Sequence, residues 1–418
     1  MPTLTLIRNT LAVLVIAVSS AHAAEMRTWM SRKGGTLEAE LGSIAGSEVV
    51  LIKPDGKEVK LKVEDLSLAD RQHLVEYGGA DQTIIAGGEP GFPEKDLRID
   101  SNTLKKLDSK LVLGEDSTLM FELVESPHFL VATAGKIRGR DTAETAERLW
   151  HGMAFQHMNF RKDWGEQRTL ILMVEDRYVF KALGEWYVKE LTSAKQDAAA
   201  RSVTASWDKA GSIELGVPEA KMKEYNLHPS AVVFNITTDE KFKKPLDSFP
   251  THCIAGALLR KQMSGVSDFG GQGYFAIITG HAYFKEISLT KKTETQLLDV
   301  SGYADNEVSS KSGFEDGTSW ARTLRTLVRK DKVKVELERM LMLKSSDLSP
   351  ESLVLMYSFA CYMEADAMRL SGFAKMIRQI ESSNQIPPPI EIAKFFGFAT
   401  VAEFEADWKK FILDGPFK

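Results

Sequence analysis

Near the N-terminus, apolar and polar positions alternate in steps of two along Thr36–Leu41, an apolar run fills Glu48–Lys53, and the alternation returns along Glu58–Val63. A period of two places successive side chains on opposite faces of a strand, and the turn Pro54-Asp55-Gly56 joins the last two stretches as an antiparallel hairpin. Ser67-Leu68-Ala69-Asp70 has the spacing of a capping box, with Asp in place of the usual Glu, and predicts a short helix through Tyr77. About fifty residues can bury little surface, so a compact barrel closed by one helix is the expected solution. From Gly78 to Pro93 the chain is rich in Gly and Pro, which is linker chemistry. Two domains free to move relative to one another are expected to follow.

Past residue 117 the pattern changes. Residues 118–133 alternate as strands, Thr142–Met158 has helical periodicity, Arg168–Glu175 is a short apolar strand, and Arg177–Leu191 is helical again. Ser230–Ile236 reads as one more strand. Beyond Glu286 the periodicity predicts helices over Thr318–Val328, Val333–Leu343, Pro350–Ser371, Gly372–Glu381 and Thr400–Leu413, with Pro387-Pro388-Pro389 as a stiff connector before the last. The fold class is therefore α+β: a small N-terminal β-barrel, then a mixed sheet lobe and a helical C-terminal lobe. The expected boundaries are 26–77 for the barrel, 78–117 for the linker and connecting segment, and 118–413 for the larger domain.

The first 23 residues read as a signal peptide. Arg8 precedes the apolar run Leu11–Val18, and Ala21-His22-Ala23 supplies a small-x-small cleavage site. That run is far shorter than the ~20 residues a membrane span needs, and no Cys follows it to carry a lipid. The mature protein is expected to be exported, periplasmic or secreted, with no integral membrane span. A net charge of −5 over 418 residues argues against a nucleic-acid footprint, and the basic segment Arg322–Lys334 alternates with apolar residues as a solvated helix face does. Cys253 and Cys361 both lie in apolar helical patterns and are expected to be buried thiols.

Two resemblances add to this reading. Arg27-Thr28-Trp29, the Thr36–Leu41 strand, Lys53-Pro54-Asp55-Gly56-Lys57, Val63-Glu64-Asp65-Leu66 and Ser67–Asp70 occur in the order seen in the Sla-type homology domain one. That domain is a small barrel akin to the Src-homology-three fold, and the resemblance over residues 26–77 implies a module that binds peptides or proteins. The second lies in Phe249-Pro250-Thr251-His252-Cys253-Ile254-Ala255-Gly256, followed by Gly273–Glu286. In the zincin pattern H-E-x-x-H, two His one turn apart bind zinc and the Glu serves as general base. Here only His252 remains, with Cys253 at the base position and Gly256 at the second ligand position. Gluzincins take a third ligand from a Glu on a later helix. The stretch Phe275–Phe284 is similar to that helix, and Thr279 stands where the Glu belongs. Ser126–Val131 resembles the leading strand, and Phe395–Trp408 the C-terminal helix pair, of a bacterial gluzincin-like family of unknown function. The similarity runs over roughly residues 120–413 and implies a zincin framework without its zinc or its catalysis.

The expected function is that of an exported, non-catalytic binding protein, a pseudo-metallopeptidase carrying a peptide-binding barrel, with no cofactor and no metal. Its partner would be a peptide, a protein or an envelope component. A rival reading is an active hydrolase with an unconventional site around His252, Cys253 and His281, and a third is a structural envelope protein. Consecutive residues on a helix point about 100° apart, so His252 and Cys253 do not face one ion together. His151 and His157, six apart, are not a ligand pair. Aromatic pairs such as Trp186-Tyr187 are expected in the core.

Overall fold

The computed structural model describes residues 25–81, 83–86, 91–115, 117–157, 167–209, 212–236, 246–263, 273–298 and 306–417. The signal-peptide reading of residues 1–23 lies outside them. Strands β1 (Arg27–Met30), β2 (Thr36–Ala45), β3 (Glu48–Ile52) and β4 (Glu58–Lys62) form an antiparallel meander in sequence order. Its inward positions, Trp29, Ala39, Val49 and Leu51, are fully buried. A bridge between Ser31 and Leu66 and the bond from Ser67 N to Met30 O bring the chain after β4 back onto β1, so the sheet curls on itself.

Helix α1 (Leu68–Glu76) starts where expected, with the Ser67 hydroxyl accepting from the backbone N of Asp70. The reciprocal half of the capping box is absent. The Asp70 carboxylate instead accepts from the Ser67 hydroxyl, the Met30 backbone N and the Arg27 guanidinium, at 2.8, 2.8 and 2.7 Å, stapling β1 to α1. Burial pushes this carboxyl up to about 6, against the pull of Arg27 and the hydrogen bonds.

The stretch read as linker, 78–117, is only partly a connection. It holds the short helices α2 (Thr83–Ala86) and α3 (Pro93–Asp96) and then strand β5 (Lys105–Val112). β5 pairs with β6 (Met120–Glu125), and β6 with β7 (Phe129–Ala134), so the sheet of the larger domain begins before residue 118. β5 evades periodicity because it is a lysine-bearing edge strand with a register shift between Leu107 and Lys110, and Leu111 is its one buried position.

Helix α4 (Gly139–His157) crosses from β7 to the parallel strand β8 (Arg168–Val174). Helices α5 (Arg177–Ser193) and α6 (Asp197–Ser206), strand β9 (Ser212–Gly216) and helix α7 (Glu219–Tyr225) then lead to β10 (Leu227–Asn235), which pairs parallel with β8 and antiparallel with β9. The spatial order is β5-β6-β7-β8-β10-β9. The parallel centre is buried on both faces, so it reads as continuous apolar runs. Leu130, Leu172 and Val233 point to α5 and α6, while Val131, Ile171 and Phe234 point to the helical body.

That body is built on α8 (Ser248–Gln262) and α9 (Tyr274–Thr290), surrounded by α10 (Trp320–Arg329), α11 (Leu337–Leu341), α12 (Pro350–Met363), α13 (Ala367–Ser383), α14 (Pro389–Phe395) and α15 (Val401–Asp414). The helix expected over 350–371 is two helices. It ends at Glu364, and Asp366 caps the next by accepting from Arg369 N. The Val333–Leu343 reading shrinks to one short helix. Pro389 is the first residue of α14 and not a connector, a position where its missing N–H costs nothing. The molecule is α+β, with an N-terminal sheet and a helical C-terminal region. No helix among the described residues is long and apolar enough to cross a membrane.

Candidate functional site

Helix α9 is the centre of the larger domain, and two sets of polar side chains meet on it. On the side facing α8, residues four and seven apart share a stripe. His252, buried on α8, sends Nδ1 to Glu286 Oε2 at 3.0 Å and packs edge-on against Tyr283. Glu286 also accepts from the hydroxyls of Thr293 and Thr295 and from Glu294 N, at 2.7, 3.3 and 2.8 Å. One turn along, Gly256 faces the same seam. A Cβ there would stand 3.5 Å from the Ala282 Cβ and 3.7 Å from Ile278 Cγ2. Alanine would fit, but a longer side chain would have to enter the packed interface of the two helices. Thr279 is buried, and Cys253 is half-buried and in no disulfide.

The other side of α9 carries a closed ionic cluster. Lys285, fully buried, places Nζ 2.6 Å from Gln156 Oε1, 3.0 Å from Glu94 Oε1 and 3.3 Å from Glu364 Oε2. Glu364 Oε1 in turn meets His281 Nδ1 at 2.7 Å. Burial works against the ammonium, but the two carboxylates outweigh it and hold the Lys285 pKa above the ordinary lysine value. Glu94 fits only because α4 has a glycine beside it: a Cβ on Gly152 would lie 2.1 Å from Glu94 Oε1. The cluster borders a cleft of about 1330 Å³, whose lining includes the buried Gln156 and Glu364. Its walls are largely apolar and aromatic, with Phe92, Phe284, Tyr357, Met368 and Phe417 among them.

The three residues of the rival site do not converge. His252 and His281 bond different carboxylates, Glu286 and Glu364, and Cys253 is on the helix position after His252. Cys361 is buried on α12, where desolvation pushes its thiol up and away from reactivity. Among the described residues no group of three His, Cys, Asp or Glu side chains is arranged to hold a metal ion. Ser126 and His128, in the turn between β6 and β7, both bind Glu147 of α4, and the His128 ring stacks on Trp150. Trp186 and Tyr187 pack against the core beneath α5.

Sequence reasoning missed the ionic cluster, although a signal was present. Lys285 and Glu286 end the apolar run of α9, and Glu364 ends that of α12. Charges interrupting buried helices require partners. Those partners, Glu94 and Gln156, lie in distant segments and carry no motif. No family model matches the chain, and no curated protein and no solved structure is significantly similar to it.

Proposed function

We propose that the protein is an exported, non-catalytic binding protein whose larger domain is a zincin-like framework without metal chemistry. The observation that carries this reading is the α8–α9 seam. Position 256 lies in van der Waals contact with Ala282 and Ile278, and His252 is engaged by a carboxylate that itself accepts four hydrogen bonds. The groups a metallopeptidase would use for ligation and base catalysis serve packing here. The His252–Glu286 pair has the form of the carboxylate–imidazole contact that orients a metal-bound histidine from its far side, which accords with descent from a metal site.

Binding falls to the cleft above the Lys285 cluster. Its largely apolar and aromatic lining suits an extended peptide, whose apolar side chains find area there. The N-terminal meander, read as an Sla-type homology barrel, adds a second peptide-binding surface. The test is retention of peptides from a casein digest by the full-length protein, read by mass spectrometry. Intact retained peptides are expected. Met368→Glu, at a half-exposed position of the cleft wall, should reduce their retention severalfold. Cleavage of the peptides would establish the rival hydrolase instead.

A further inference from the structure

The basic segment that opens at Arg322 supplies one side of a groove. Arg322, Arg325 and Arg329, at i, i+3 and i+7, form one stripe of α10 along it. Opposite stand Leu413, Asp414, Gly415 and Phe417, from the last turn of α15 and the residues after it. The groove between them has a volume of about 590 Å³.

The middle arginine is held in place. Half-buried Arg325 donates from Nε to Ile412 O at 3.0 Å and from Nη2 to Phe417 O at 2.6 Å, which leaves Nη1 without a bond among the described residues. Arg329 Nη2 donates to Leu413 O at 3.4 Å, and the exposed Arg322 side chain has no partner among the described residues. All these bonds go to neutral carbonyls, and none of the three arginines forms an ion pair among the described residues. Against three cations stand the Asp414 carboxylate and the roughly half a negative charge at the end of α15, so positive charge is in excess. The whole chain carries −5, so this excess is local.

The groove is continuous with the large cleft. Thr318 and Phe417 line both. The Phe417 ring packs on Tyr357 and Phe411 of the cleft, with centroids 5.7 and 6.1 Å apart. The carboxylates that line the cleft, Glu364 and Asp366, are paired with Lys285 and Arg369, and Lys291 adds a further cation. We propose that the ligand of the cleft is an acidic peptide. Its apolar side chains lie in the cleft, and a neighbouring Asp or Glu carboxylate lies in the groove, at Arg322 and at Nη1 of Arg325. A guanidinium already held by two carbonyls offers its remaining N–H groups with little further loss of side-chain freedom. The proposal rests on the peptide-cleft reading and narrows it to one class of peptide.

The test is retention of a digest of dephosphorylated casein by the full-length protein, in about 0.05 M and about 1 M salt. Retained and input peptides are compared at matched apolar content by mass spectrometry. At low salt, peptides with Asp or Glu beside apolar residues should be retained about threefold more than neutral ones, the worth of a partly exposed ion pair. The protein's own net charge works against this preference, so general ion exchange does not produce it. At about 1 M salt, where the screening length falls to about 3 Å, the preference should disappear. Arg322→Gln should remove it as well, and Arg322→Lys should keep most of it. Arg201→Gln, which deletes the same charge from an exposed position of α6, should leave it intact. Peptides retained without an acidic preference, a preference that survives Arg322→Gln, or one lost equally on Arg201→Gln would overturn the proposal and leave the peptide-cleft reading standing. Retention of no peptide at all would overturn both.

Discussion

Single residues in this molecule are decided by how burial competes with hydrogen bonding. Glu147 is buried, which opposes its charge, yet bonds from the His128 ring, the Ser126 hydroxyl and His128 N hold its carboxyl below the usual glutamate value. A depressed folded pKa gives stability that is present above the unfolded value of about 4.3 and is lost as pH falls through the folded one. Glu147→Gln should therefore cost about 1–3 kcal/mol at pH 7 and should flatten the acid limb of a denaturant-midpoint profile below about pH 4.3. Lys285 is the opposite case, a cation whose removal strands two buried carboxylates. Lys285→Ala should cost about 3–5 kcal/mol, and adding Glu94→Gln should restore part of that loss. Additive losses in the double variant, measured by urea unfolding, would mean that the two side chains do not act as a pair.

At the scale of elements, helix α1 belongs to both parts of the molecule. Leu74 is in the core of the N-terminal meander, whereas Leu68 joins the main core and Gln72 exchanges hydrogen bonds with Ser371 and Arg378 of α13. A fragment of residues 25–81 should keep its four-stranded sheet but lose protection along α1, by about the worth of the apolar surface around Leu68 and Ala69, roughly 2–4 kcal/mol. Hydrogen exchange of the fragment against the full chain measures this, and equal protection of α1 in both would show that its outer face contributes nothing. Gly152→Ala tests how α3 and α4 fit together. A methyl 2.1 Å from Glu94 Oε1 must displace that carboxylate from Lys285, at about 1–3 kcal/mol of overpacking.

The same elements show what was legible beforehand. Strands β2, β3, β4, β6, β7, β8 and β10 carry periods of two or unbroken apolar runs, α1 carries a capping sequence, and they lie close to where those patterns put them. β5 and β9 did not stand out, because short edge strands carry few inward apolar residues. The break at Glu364–Asp366 was hidden as well. No Gly or Pro marks it, and the apolar pattern continues from α12 into α13. That break places Glu364 at the end of α12, beside Lys285 and His281, so the ionic cluster depended on a feature that periodicity does not encode.

On the scale of the whole molecule, one helix links the seam and the cleft. The α8 face of α9 meets His252 through Glu286, and the face about 100° round meets α3, α4 and α12 through Lys285. Packing and buried ion pairs fix these helices relative to one another. The sequence resembles a zincin motif at His252, Cys253, Gly256 and Thr279. Their neighbours, Glu286 for His252 and Ala282 for Gly256, are brought together only by the fold.

The most direct test of this account is the zinc content of the full-length protein, purified with zinc supplied and measured by elemental analysis. A seam filled by Ala282 and Ile278, with one imidazole already engaged, predicts zinc well below one equivalent per chain and no change on His252→Ala. One equivalent of zinc that disappears on His252→Ala would contradict the account and restore a metal-dependent site at α8 and α9.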